Sequence, residues 1–163
     1  MDDFSSKPGH PNFYGLIGSE ANSIQPGKRM LSSMTPSIIL KDNKPSLIVG
    51  TPGGSTIITS VLQTILNVYE FDMSVQEAVN AARFHHQWLP DVVIFEEGIV
   101  DKEKDSILKS KSYYVISLPI EVDTGGMSAR SSIGAVDAIL IDGKGKVSTG
   151  ADFRGDDYGE ILK

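Results

Sequence analysis

The chain predicts an α+β layered domain, because β-like and helix-like runs are interspersed along it and two hairpin patterns bracket a long apolar helix pattern. The first hairpin pairs 37–40 with 46–51 around Lys41-Asp42-Asn43-Lys44-Pro45, and its second strand runs into a glycine-rich turn. The second pairs 135–141 with 147–151 around Asp142-Gly143-Lys144-Gly145 and closes the chain. Between them, Ile57, Ile58, Val61, Leu62, Ile65, Leu66 and Tyr69 recur at helical spacing, which predicts one apolar face on a helix from near Thr56 to near Glu70.

Ser74 and Glu77 have the spacing of a capping box and open a second helix that runs to about Ala82. A short strand follows over 92–95. A polar helix over 102–110 should turn Ile107 and Leu108 inward, and 113–118 is rich in β-formers. No repeat or linker divides the 163 residues, so 1–163 reads as one domain. Two-fifths of the chain is apolar, which suits an ordinary globular core. A net charge of −6 without a basic cluster argues against a nucleic-acid partner. With no cysteine there is no disulfide or thiolate metal site, and no apolar run reaches the length of a membrane span.

Gly50-Thr51-Pro52-Gly53-Gly54-Ser55 carries the strongest chemical signal. A Pro-Gly-Gly turn entering a helix leaves backbone N–H groups unpaired and aimed at one point, and glycine allows close approach. Such a turn suits an anion or an oxyanion, and it equally suits a plain helix cap. The Gly-Lys-Ser/Thr ending of a phosphate loop and the spacing of a dinucleotide fingerprint are both absent.

Ser32 and Ser33, just before the first strand, offer two adjacent hydroxyls to a carboxylate, or merely turn the chain. Asp2 and Asp3 form an acidic pair near residue 1. The segment 8–19 combines two prolines and three glycines with Phe13 and Tyr14, a composition suited to a lid with Tyr14 at its tip; alone, it should be poorly ordered. His85 and His86 are adjacent with no further ligand nearby, so they read as packing partners of Trp88 that satisfy buried backbone groups, with metal binding rejected. Asp123-Thr124-Gly125-Gly126-Met127-Ser128 reads as a flexible loop in preference to an anion nest, and Asp152 with Arg154 as a structural ion pair.

Five segments in order resemble the small subunit of the γ-glutamyltranspeptidase family, also called glutathione hydrolases, of the N-terminal nucleophile hydrolases. They are Met-Asp-Asp-Phe-Ser at 1–5, Leu-Ser-Ser-Met-Thr-Pro at 31–36, Gly-Thr-Pro-Gly-Gly-Ser at 50–55, Asn-Ala-Ala-Arg-Phe-His-His-Gln-Trp-Leu-Pro at 80–90 and Asp-Phe-Arg-Gly-Asp at 152–156. The resemblance implies a partial αββα sandwich. It gives Asp3 to the substrate's α-amino group, Ser32 and Ser33 to its α-carboxylate, Tyr14 to a lid, and the N–H groups of Gly53 and Gly54 to the oxyanion hole. The substrates it implies are γ-glutamyl small molecules such as glutathione, with no cofactor. Its partner would be the large subunit of the same precursor, in a periplasmic or extracellular protein.

The resemblance also implies a nucleophilic threonine in a Thr-Thr-His-like context upstream of Met-Asp-Asp, and no threonine here matches that context. The chain alone is therefore expected to be inactive. A relative acting on poly-γ-glutamate and a non-catalytic binding or assembly module are the alternative readings. Half a sandwich should also expose apolar sheet, which would favour self-association.

Overall fold

The computed structural model describes residues 4–120 and 133–162. Strands β1 (Ser37–Lys41) and β2 (Lys44–Gly50) form the first hairpin. They are joined by Asp42 and Asn43 at φ 51° and 59°, the left-handed pair that a two-residue hairpin turn requires. The loop is thus tighter than the five residues the sequence suggests. The last hairpin, β6 (Asp137–Ile141) and β7 (Val147–Ala151), pairs with β2 to complete an antiparallel sheet in the order β1-β2-β6-β7. Asp142 caps its turn by accepting from the N–H groups of Lys144 and Lys146 at 2.8 and 2.9 Å.

Helices α1 (Ile57–Tyr69) and α2 (Val75–Asn80) cover one face of this sheet. Leu47, Val49 and Ala138 of the sheet meet Ile57, Val61, Val75 and Val79 of the helices in a fully buried core. Gly150 permits the close approach of α2, since a Cβ there would stand 2.7 Å from the Val75 carbonyl oxygen. The single apolar face expected of α1 divides in two. Ile57, Val61 and Val68 are buried, whereas Ile58 is 72% exposed and Leu62 and Leu66 lie on the same outer ridge. An apolar run this wide exceeds what one sheet face can cover.

No described helix packs on the opposite face of the sheet. By register, Ile38, Ile48 and Ile139 form a row across three strands, and Ile38, Leu40 and Ile139 are exposed. This is the uncovered apolar surface expected of a partial sandwich. A second sheet, β3 (Phe84–His85), β4 (Val93–Glu96) and β5 (Val115–Leu118), is antiparallel at β3/β4 and parallel at β4/β5. The parallel step is bridged by α3 (Lys102–Ser110). That helix buries no residue, and Ile107, expected inward, is 48% exposed.

The capping box of α2 forms as expected. Ser74 Oγ accepts from the Glu77 N–H at 3.3 Å, and the Ser74 N–H donates to Glu77 Oε2 at 2.9 Å. The Ser74 hydroxyl and backbone N–H hold the Glu77 carboxyl below the usual carboxylate range. Ser74→Ala is expected to lower stability by about 1 kcal/mol in urea unfolding. An unchanged unfolding midpoint would show that burial of Val75 and Val79 alone holds this short helix.

Candidate functional site

β2 ends at Gly50 and delivers the chain into a short 3-10 turn, Gly54–Thr56, which continues into α1. Gly53 and Gly54 have φ of 137° and 58°, values that residues with a side chain rarely adopt. The Gly53 carbonyl accepts from both the Thr56 N–H (3.1 Å) and the Thr56 hydroxyl (3.0 Å), which closes the turn. No side chain caps it, and no backbone acceptor among the described residues receives the Gly53 or Gly54 N–H. Buried Thr51 anchors the turn from below, its hydroxyl donating to the Pro52 carbonyl at 2.7 Å and accepting from the Ala135 N–H at 2.9 Å.

Tyr14 lies directly on this turn. A Cβ on Gly54 would stand 2.2 Å from Tyr14 Cζ, so the ring occupies the space a side chain would need. In the structure 8–19 is a closed hairpin. Asn12 Oδ1 accepts from the Tyr14 and Leu16 N–H groups at 2.9 and 3.0 Å, Pro11 bridges Ile17, and the Gly9 N–H reaches the Gly18 carbonyl at 2.9 Å. A count of prolines and glycines says nothing of this shape. Asn12 supplies the local acceptor that such a count passes over.

Ser32 Oγ accepts from the N–H groups of Met34 and Thr35 at 3.3 and 3.1 Å, which turns the chain and leaves the hydroxyl hydrogen to donate. Ser32 and Ser33 line a cleft of about 700 Å³ on the uncovered sheet face, together with Ile48, Gly50, Asp137 and Tyr158. Burial, then the charges of Asp157 and Asp152, push the Asp137 carboxyl up. The serine loop is tied to the glycine turn where the Met34 carbonyl accepts from the Thr51 N–H at 3.1 Å. The structure thus brings Tyr14 onto Gly54 and the serines beside Gly50. Asp3 and the loop 123–128 lie outside the described residues.

Beneath the site is a buried group of four charges that the sequence showed only as an ion pair. Arg154 reaches Glu96 through Nε (2.8 Å) and Nη2 (2.6 Å), and Asp152 through Nη1 (2.8 Å). Arg83 meets Asp152 at 2.5 Å and the carbonyls of Ile133 and Gly134 at 3.0 and 3.3 Å. All four residues are at most 1% exposed. Burial lowers the Arg83 guanidinium more than Asp152 raises it, whereas at Arg154 the bonds to Glu96 and Asp152 outweigh burial. The difference follows the hydrogen bonds, since Arg154 uses all three nitrogens and Arg83 Nε has no partner among the described residues. Both guanidinium groups stay charged.

The histidines also differ from expectation. Trp88, expected to pack with them, is 75% exposed. Buried His85 contacts Thr59 and Gln87, and His86 pairs with Asp91 at 3.1 Å. Both satisfy side chains, where backbone groups were expected. No cluster of metal-ligating residues occurs among the described residues, and no described helix is long and apolar enough to cross a membrane.

The γ-glutamyltranspeptidase family model matches residues 1–162. The glutathione hydrolase proenzyme of Pseudomonas aeruginosa is 44% identical over 100% of this chain and 28% of its own length. That of Escherichia coli K12 is 58% identical over 60% of the chain and 17% of its own length. This chain therefore spans under a third of those proenzymes. Among solved structures, the W525D mutant of Pseudomonas nitroreducens γ-glutamyltranspeptidase superposes with a TM-score of 0.80 at 43% identity, covering 100% of this chain and 79% of that one. The mixed sheet-and-helix architecture is accordingly that of the N-terminal nucleophile hydrolases. Within that class, the chain belongs to the γ-glutamyltranspeptidase family.

Proposed function

We propose that this chain forms part of a γ-glutamyltransferase or glutathione hydrolase, in which it binds the γ-glutamyl group and supplies the oxyanion hole. The observation that carries the reading is the strained Gly53–Gly54 turn, with N–H groups lacking acceptors among the described residues, beneath Tyr14. Two such donors stabilise the negative charge that develops on a carbonyl oxygen under attack. Ser32 and Ser33 donate to the substrate's α-carboxylate, Asp3 accepts from its α-ammonium, and Tyr14 closes over the acyl group.

The attacking threonine comes from outside these residues. The Thr51, Thr56 and Thr64 hydroxyls each donate to a nearby carbonyl, Thr59 faces His85, and none of the four sits at an amino terminus whose amine could act as its base. Attack on the γ-amide carbonyl forms an acyl-enzyme ester and releases the amine; water or an amino acid then takes the γ-glutamyl group. The face that exposes Ile38 and Ile139 packs against the rest of the two-subunit enzyme, and in the isolated chain it favours self-association. The complete protein acts in the periplasm or outside the cell.

The test is turnover of a chromogenic γ-glutamyl anilide. The full-length, processed protein should hydrolyse it, and this chain alone should not. In the full-length protein, Asp3→Ala removes a charge-assisted bond worth about 1.5–3 kcal/mol and should raise the donor KM well beyond the effect of Asp2→Ala. Equal effects would remove Asp3 from the site, and turnover by the isolated chain would overturn the proposal.

A further inference from the structure

One side chain far along the sequence holds the Tyr14 segment in place. Gln87 Nε2 donates to the Tyr14 carbonyl and to the Leu89 carbonyl, both at 2.9 Å. Two carbonyl acceptors require the NH₂ end of the amide to face them, so Gln87 Oε1 faces His85 Nε2, 3.0 Å away. His85 must then carry a hydrogen on Nε2. Its other nitrogen, Nδ1, lies 2.9 Å from Thr59 Oγ1 in the first turn of α1. With that hydrogen on Nε2, Nδ1 accepts from the Thr59 hydroxyl, so the bonds that leave Tyr14 end on the first turn of α1.

We infer that Gln87, backed by His85 and Thr59, is a positioning residue that sets how Tyr14 rests on Gly54 and thereby how firmly the site holds a γ-glutamyl donor. His85 is 4% exposed, so its contacts are made largely out of water, where they are stronger and more directional. The hairpin of 8–19 fixes its own shape through Asn12, but that bond does not place it relative to Gly54. Gln87 supplies the placement. The consequence for substrate rests on the γ-glutamyl-transfer reading above; the placement itself does not.

The experiment uses the full-length, processed protein and two readouts. Gln87→Glu keeps the shape but cannot donate to the Tyr14 carbonyl, and His85→Ala removes the group that orients Gln87. In both variants, hydrogen exchange of the amides in 8–19 should accelerate about tenfold, while α1 and β2 exchange as in wild type. The KM for a γ-glutamyl anilide should rise about fivefold with kcat within about twofold. His85→Gln, which restores a donor near the Nε2 position, should recover most of both effects. Unchanged exchange in 8–19, or acceleration spread equally over α1 and β2, would overturn the inference. So would a KM that stays fixed in an active enzyme whose 8–19 segment has loosened. If exchange changes as expected in a protein whose wild type shows no γ-glutamyl turnover, the positioning stands and the proposed function falls.

Discussion

Gly54→Ala in the full-length protein is expected to reduce the acylation rate by a factor of about 10² or more, as loss of one oxyanion donor does elsewhere. Two features make the site intolerant. The φ of 58° disfavours any residue with a side chain, and the new methyl would stand 2.2 to 2.5 Å from three carbons of the Tyr14 ring. Either the turn rotates and its N–H groups move, or Tyr14 leaves. The double variant Tyr14→Ala, Gly54→Ala separates these. If displacement of the ring is the whole effect, the double variant should match Tyr14→Ala alone; if the N–H groups have moved, it stays slow. The competing outcome is a turn that only caps α1, in which case the substitution costs roughly 1 kcal/mol of stability and nothing else. A lowered unfolding midpoint with an unchanged acylation rate would establish that outcome and remove the main residue-level support for the oxyanion hole.

Arg154→Ala is expected to destabilise the fold by about 3–5 kcal/mol, because it takes from the buried Glu96 carboxylate its charged partner and leaves Asp152 with Arg83 alone. The surface pair Lys109–Asp105 is a built-in control. Its 2.7 Å separation is as short as the buried contacts, yet it faces solvent, and Lys109→Ala should cost no more than about 0.5 kcal/mol. Burial decides the difference, and distance does not.

The same group sets an acid limit. Burial pushes the Asp152 carboxyl up, but Arg83, the Val136 N–H and Arg154 outweigh it and hold it below the usual range. A carboxyl lowered on folding adds stability above its unfolded value, and that stability is lost as pH falls through the folded value. Removing Arg154 takes away one of the groups that lower it, so the acid unfolding transition should move to higher pH. Urea unfolding at neutral pH together with an acid titration checks both statements. A loss under 1 kcal/mol would mean that the carboxylates find water or other partners when the guanidinium is gone.

Much of the fold was legible from local chemistry. Turn residues marked both hairpins, periodicity marked α1, and Ser74 with Glu77 marked the start of α2, because each of these is an interaction between residues within a few positions of one another. Where local reading failed, it failed at faces and ends. It could not say which half of the wide apolar stripe on α1 would meet the sheet, nor that Ile107 would stay exposed, since both depend on what lies opposite. The order β1-β2-β6-β7 is likewise a matter of which hairpin finds which edge.

The site divides the same way. By itself the sequence determined the glycine turn, the paired serines and the aromatic segment, because each is a short run whose composition serves one local geometry. Only the tertiary structure placed Tyr14 on Gly54, tied Gln87 to the Tyr14 carbonyl across 73 positions, and joined Arg83 and Glu96 to Asp152 and Arg154 across as many as 69. The reason is physical. A hydrogen bond or ion pair acts over about 3 Å, and residues so far apart in sequence reach that distance only when the packing of α1, α2 and the sheet has fixed where each strand and loop must end.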